Sequence, residues 1–198
     1  MRKHIDFFFD FLSPFGYLAN VKLPGIAKKY GATVHYHPFD ILLAKLAAGN
    51  YGPSTREIPA KARCVRQDRL RWAARYKVPM VTTLNGKRTP RLNTGVFYAA
   101  RAELAEAYVN AAYHQVWGVG ADPEDDAVIA ALARELGWDE AAFLAYVNSP
   151  QARQEYAESQ REAHRRGVFG APIMFVDDQM FWGNDRLMFL EEHLAAMK

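Results

Sequence analysis

The run His4-Ile5-Asp6-Phe7-Phe8-Phe9-Asp10-Phe11 constrains the fold more than any other part of this chain. It is too short and too aromatic for an amphipathic helix, so residues 4–11 read as a buried strand. Leu12 leads into Ser13-Pro14, and that pair opens a helix: serine caps free N–H groups and proline suits the first turn. Tyr17, Leu18, Val21, Leu23 and Ile26 continue an apolar face, which Gly31 ends after Lys28-Lys29-Tyr30. Residues 32–38 (ATVHYHP) alternate and are β-rich, a second strand. Strand, helix and strand so close together predict a parallel pair with a right-handed crossover.

The pattern then changes. Residues 42–167 are rich in Ala, Leu, Glu, Arg and Gln, with helical spacing at Leu70, Ala73 and Ala74, at Phe97, Ala100 and Leu104, and at Val109, Ala112, Tyr113 and Val116. Asp122-Pro123-Glu124-Asp125-Asp126 opens a helix that Gly137 closes, and Asp139 caps another through Val147. Ser149-Pro150 starts a long polar helix to Arg166, while residues 49–59 (GNYGPSTREIP) are loop. The β pattern returns at residues 172–176, turns at Asp177-Asp178 and comes back over 179–182, before a last helix over 185–197. This order predicts an α/β, thioredoxin-like fold (βαβ…ββα) with a large all-helical insertion. Residues 1–41 and 168–198 form the discontinuous thioredoxin-like domain, and residues 42–167 the helical insertion.

Composition narrows the function. A net charge of +3 is too small to argue for nucleic acid, and the arginines at 63, 66, 69, 71 and 75 read as a solvated helix face. The longest apolar runs fall short of a membrane span, and residues 1–6 lack the features of a signal peptide. Cys64 is the single cysteine, which rules out an intrachain disulfide and suits a reducing cytoplasm. His35 and His37 alternate on a strand without a third ligand at convincing spacing, so no metal is expected. Neither a nucleophile elbow nor a phosphate-binding glycine loop follows a strand.

Thioredoxin-type redox proteins carry Cys-x-x-Cys at this strand-to-helix junction, because a helix N-terminus stabilises a thiolate. The two positions here are Ser13 and Gly16, so any thiol comes from elsewhere. By itself Ser13 reads as an N-cap worth about 1 kcal/mol. Val168-Phe169-Gly170-Ala171-Pro172 stands where such proteins hold a cis-proline. A cis bond there exposes the Ala171 backbone to an extended peptide, whereas a trans Pro172 simply starts a strand. Gly183-Asn184-Asp185-Arg186 opens the last helix. Asn184 or Asp185 caps it, or the helix end takes a carboxylate while Asp185 takes an ammonium.

Together, DFLSPFGYLA, GVFGAP and FWGNDRL resemble the 2-hydroxychromene-2-carboxylate isomerases over essentially the whole chain. These are glutathione-dependent relatives of kappa-class glutathione transferases and DsbA-like oxidoreductases. The resemblance implies that Ser13 hydrogen-bonds the glutathione sulfur and that Ala171, with Pro172 cis, pairs with the cysteinyl backbone. Asn184 and Asp185 then hold the γ-glutamyl end. Ile58-Pro59-Ala60-Lys61 and Asp68-Arg69-Leu70-Arg71-Trp72 match the family's insertion pattern. By that match Lys61 takes a glutathione carboxylate, with Asn50 as a further contact. Gly16 departs from the serine or other small residue the family often has.

The implied reaction interconverts 2-hydroxychromene-2-carboxylate and trans-o-hydroxybenzylidenepyruvate in aromatic (naphthalene) catabolism, by reversible addition of the thiolate to a conjugated double bond. Phe15, Tyr17, Phe39, Trp72 and Tyr76 are the candidates to line an apolar slot for that aromatic acid. A homodimer is expected from the kappa relatives. Two alternatives stay open: a kappa-type transferase that consumes glutathione, and a non-catalytic peptide- or thiol-binding module.

Overall fold

Strand β1 (Lys3–Phe9) pairs in parallel with β2 (Ala32–Pro38) across the crossover helix α1 (Pro14–Tyr30). On its other edge β1 meets β3 (Ile173–Val176), which pairs with β4 (Gln179–Trp182), both antiparallel. The sheet order is therefore β2-β1-β3-β4, the mixed sheet expected of a βαβ unit joined to a ββ hairpin. These coordinates come from a computed structural model that describes residues 3–55, 57–82, 84 and 88–197. After β4 a 3₁₀ turn (Asn184–Arg186) leads into the last helix, while the helices between β2 and β3 run α2 (Ile41–Ala47), α3 (Pro59–Tyr76), α4 (Pro90–Arg101), α5 (Ala105–Tyr113), α6 (Asp126–Glu135), α7 (Glu140–Val147) and α8 (Pro150–Arg165). The last helix is α9 (Leu187–Ala196). None of these helices is long and apolar enough to cross a membrane.

Local capping chemistry sets several boundaries. Asp139 accepts from the Ala142 N–H at 2.7 Å and Ser149 from the Ala152 N–H at 3.1 Å, starting α7 and α8 where the sequence predicts. Two boundaries differ from expectation. The first strand stops at Phe9, because the Asp10 carboxylate accepts from the Leu12 N–H and turns the chain. Phe11 and Leu12 remain buried although they are not strand residues. Helix α5 also continues into a π-helical segment (His114–Val119) that places Trp117 in the interior.

Alternation along β1 divides the interior. Ile5, Phe7 and Phe9 face α1, packing with Leu23 and Ala27, whereas Phe8 faces the other side with Phe39, Ala163 and Val168. Each fully buried phenylalanine contributes about 1.5–3 kcal/mol. The α1 side also contains Leu92, Tyr108, Val109, Tyr113, Trp117 and Ile129 from the helical block. Phe9 lies 5.8 Å from the Tyr113 ring and Phe11 4.7 Å from it. The helical block thus shares one core with the sheet.

Candidate active site

Ser13 sits at the carboxyl end of β1, 5% exposed, as the N-cap of a 17-residue helix with no acidic residue in its first turn. Its Oγ accepts from the Gly16 N–H at 3.1 Å, so the cap expected from sequence is formed. The same hydroxyl donates to the Ala171 carbonyl at 3.0 Å, across 158 residues of chain. The Ala171-Pro172 bond is cis, one of the two isomers the sequence left open. One residue group therefore joins three features that lie far apart in sequence: the helix N-terminus, the hydroxyl and the cis-proline loop.

The turn that carries Ser13 is held by residues of the helical block, which sequence reasoning missed. The buried Asp10 carboxylate accepts from Thr89 Oγ1 at 2.6 Å, Asn93 Nδ2 at 3.0 Å and the Ile41 N–H at 3.0 Å. Burial pushes its pKa up, and these donors oppose that shift. Asn93 Oδ1 accepts from the Phe11 N–H at 3.3 Å, Tyr113 donates to the Asp10 carbonyl at 3.1 Å, and Trp117 Nε1 donates to the Phe11 carbonyl at 2.8 Å. The only local hint was an acidic residue inside an apolar run. A Cβ added to Gly16 would run into the Tyr113 hydroxyl, so the space beside Ser13 is already filled from α5.

On the other side, the Gly183 N–H donates to the Pro172 carbonyl at 3.0 Å, which ties the start of the last helical segment to the cis-proline loop. Gly183 has φ +102°, a left-handed conformation that calls for glycine. Asn184 is 3% exposed, and its Nδ2 has no hydrogen-bond partner. Asp185 is exposed and ion-paired with Arg186. Tyr76 reaches this segment from α3: burial raises its pKa, and Asn184 and Asp185 are among the groups acting on it. Trp72 lies 5.4 Å from Tyr76, ring to ring, and Lys22 of α1 sits over Tyr76 at 4.8 Å.

The other predicted residues fall into distinct places. Phe15 is partly buried in the first turn of α1, whereas Tyr17 is 4% exposed and packed 6.0 Å from Tyr113. Phe39 is a correction: it has no exposed surface and belongs to the core beneath the sheet, so it cannot line an open slot. Lys61 is exposed in the first turn of α3, and Asn50 is exposed in the loop after α2. Arg69 is a second correction: read with its neighbouring arginines as part of a solvated face, it is buried on α3 and lies 5.5 Å over the Trp117 ring, whose Nε1 bonds the Phe11 carbonyl. A cleft of about 660 Å³ near Ala27, Lys28 and Glu106 lies at the far end of α1, about 20 Å along the helix from Ser13. It has no part in this site.

The family of DsbA-like thioredoxin domains matches residues 4–195. The 2-hydroxychromene-2-carboxylate isomerase of Sphingobium xenophagum is 50% identical over 194 residues, covering 98% of this chain and 99% of that protein. The enzyme of the same name from Pseudomonas putida is 42% identical, covering 98% and 95%. A solved structure of a 2-hydroxychromene-2-carboxylate isomerase superposes with a TM-score of 0.90 at 41% identity, over 97% of this chain and 94% of that one. With a serine on the helix N-terminus, a cis-proline opposite it and likeness along its full length, this chain belongs to the 2-hydroxychromene-2-carboxylate isomerase family of DsbA-like thioredoxin-fold proteins.

Proposed function

We propose that this chain is a glutathione-dependent isomerase that interconverts 2-hydroxychromene-2-carboxylate and trans-o-hydroxybenzylidenepyruvate. The observation that carries this reading is the Ser13 hydroxyl, buried at a helix N-terminus against the Ala171 carbonyl, in a site without a cysteine. The residues also fit a zwitterionic tripeptide. Asn184 presents a buried amide nitrogen beside the Tyr76 hydroxyl, Asp185 supplies an anion next to it, and Lys61 supplies an exposed cation. When bound, glutathione supplies a nucleophilic thiolate that is regenerated at the end of each turnover.

The rest is the chain's own work. Ser13 has one proton, and the Ala171 carbonyl holds it at rest. An extended ligand that pairs with the Ala171 backbone offers that carbonyl a different donor. The Ser13 hydroxyl is then free to turn and donate to an anion at the helix N-terminus, where the dipole already favours negative charge. The Tyr113 hydroxyl beside Gly16 leaves no room for a second thiol-bearing side chain at that position. Phe15, Tyr17, Trp72 and Tyr76 supply the aromatic surface for the substrate ring, Trp72 and Tyr76 packed ring to ring. Arg69 is the cation for the substrate carboxylate, its guanidinium 5.5 Å from the centre of the Trp117 ring.

The test is an absorbance assay of the interconversion with the purified chain, with and without glutathione. Activity that needs glutathione but leaves its concentration unchanged supports the proposal. Activity without any thiol sinks the cofactor assignment, and one glutathione consumed per turnover makes the chain a transferase. A homodimer in the cytoplasm belongs to the same proposal, and light scattering of the purified chain checks its mass.

A further inference from the structure

We propose that Asp6, His35 and His37 form a binding site for a divalent transition-metal ion of the zinc type, on the face of the sheet opposite α1. Sequence spacing shows only the two histidines. The parallel register supplies the third ligand: Asp6 stands beside His35, and Phe8 beside His37. All three polar side chains therefore leave the sheet on the same face. His37 Nε2 lies 3.2 Å from Asp6 Oδ1, and His35 Nδ1 lies 3.4 Å from the same oxygen. The three ligand atoms all fall within 4.8 Å of one another. A zinc ion with bonds of about 2.0–2.2 Å holds tetrahedral ligands about 3.3–3.6 Å apart, so small side-chain rotations bring the three atoms onto one ion. Two imidazoles and one carboxylate suit a borderline ion better than magnesium or calcium, which prefer oxygen ligands.

The surroundings support a built site. The His37 ring stacks on Phe8 at 4.6 Å, which limits its rotation. Arg166, at the end of α8, donates to Asp6 Oδ2 at 2.5 Å. It leaves Oδ1 facing the imidazoles and fixes the carboxylate plane, the role an outer hydrogen bond plays at metal sites. Its positive charge disfavours a cation, but Arg166 lies over the Phe175 ring at 4.0 Å and within electrostatic reach of Glu162. His35 stays about half exposed, which leaves room for a water ligand. A third imidazole, His4, lies 4.9 Å from His35 on the same face. An ion here would clamp β1 to β2 without touching Ser13.

Calorimetric titration of the untagged, chelator-stripped chain with ZnCl₂ tests this. The expected result is one Zn²⁺ per chain. His35→Ala and His37→Ala should each weaken it by about 10- to 100-fold or more. Cys64→Ser should leave it unchanged. Zn²⁺ should also raise the Tm of the wild type and not of the double variant. In the wild type, the ring resonances of His35 and His37 should change at one equivalent while those of His114, His164 and His193 stay in place. This last measurement needs no variant to fold. Absence of saturable binding, equal affinity in the double variant, or ring changes confined to other histidines would each overturn the proposal.

Discussion

Ser13 serves the fold and the proposed chemistry with one side chain, and two substitutions separate these roles. As a cap its oxygen satisfies the Gly16 N–H, and loss of a serine cap to alanine costs about 1 kcal/mol, but only a few tenths when glycine replaces it. As a donor to an anion the hydroxyl contributes about 1.5–3 kcal/mol. Ser13→Gly keeps the cap nearly intact but leaves the Ala171 carbonyl without its donor, so it should lose about 1 kcal/mol in urea denaturation while isomerising about 10- to 100-fold more slowly at saturating glutathione. Full activity in that variant would leave Ser13 a cap and nothing more. Gly16 makes a second residue-scale case. Gly16→Ala pushes a methyl into the Tyr113 hydroxyl and should cost about 1–3 kcal/mol in urea denaturation. Tyr113→Phe alone loses the bond to the Asp10 carbonyl, about 1 kcal/mol. The double variant should be more stable than the sum of the two, since the phenylalanine frees the space the methyl needs.

Among the elements, the turn between β1 and α1 is decisive, and it is held by α4, α5 and the π-helical segment more than by itself. Asn93 on α4 bonds both the Phe11 N–H and the Asp10 carboxylate. Asn93→Ala leaves that buried carboxylate short of a donor and should cost about 1–3 kcal/mol. Because the same turn carries Ser13, kcat should fall too, which steady-state assays at saturating substrates will show.

The β1–α8 contact has a pH signature. His37, with Arg166, holds the Asp6 carboxyl well below the usual carboxylate range, against the opposing effect of burial. The folded chain keeps Asp6 ionised where the unfolded chain protonates near pH 4. This stabilisation is complete above that pH and lost as pH falls below it. Measured with chelator present, the acid limb of Tm against pH should be flatter for Asp6→Asn than for the wild type.

At the scale of the whole molecule, the shared core predicts a single cooperative transition. Tyr113 and Trp117 pack with Phe9 and Phe11, so the interior of the helical block runs on into that of the sheet as one cluster. Tryptophan fluorescence and far-UV circular dichroism should report coincident urea unfolding. Separate transitions would mean that residues 42–167 fold apart from the sheet.

The contrast between local and distant contacts also explains what was legible in the chain. Period-two and helical patterns, the caps Ser13, Asp139 and Ser149, and the turn at Asp177-Asp178 act over a few residues, so they showed the element order and the family motifs. Phe39 misled because an aromatic residue reads alike in a core and in a binding slot, and only packing tells them apart. The Ser13 bond to Ala171, the pins from Thr89, Asn93, Tyr113 and Trp117, and the meeting of Asp6 with His35 and His37 depend on register and on contacts between distant segments. The sequence alone determined that a hydroxyl replaces a thiol at the helix N-terminus. Only the tertiary structure decided where that hydroxyl's single proton goes, because its acceptor comes from the far end of the chain.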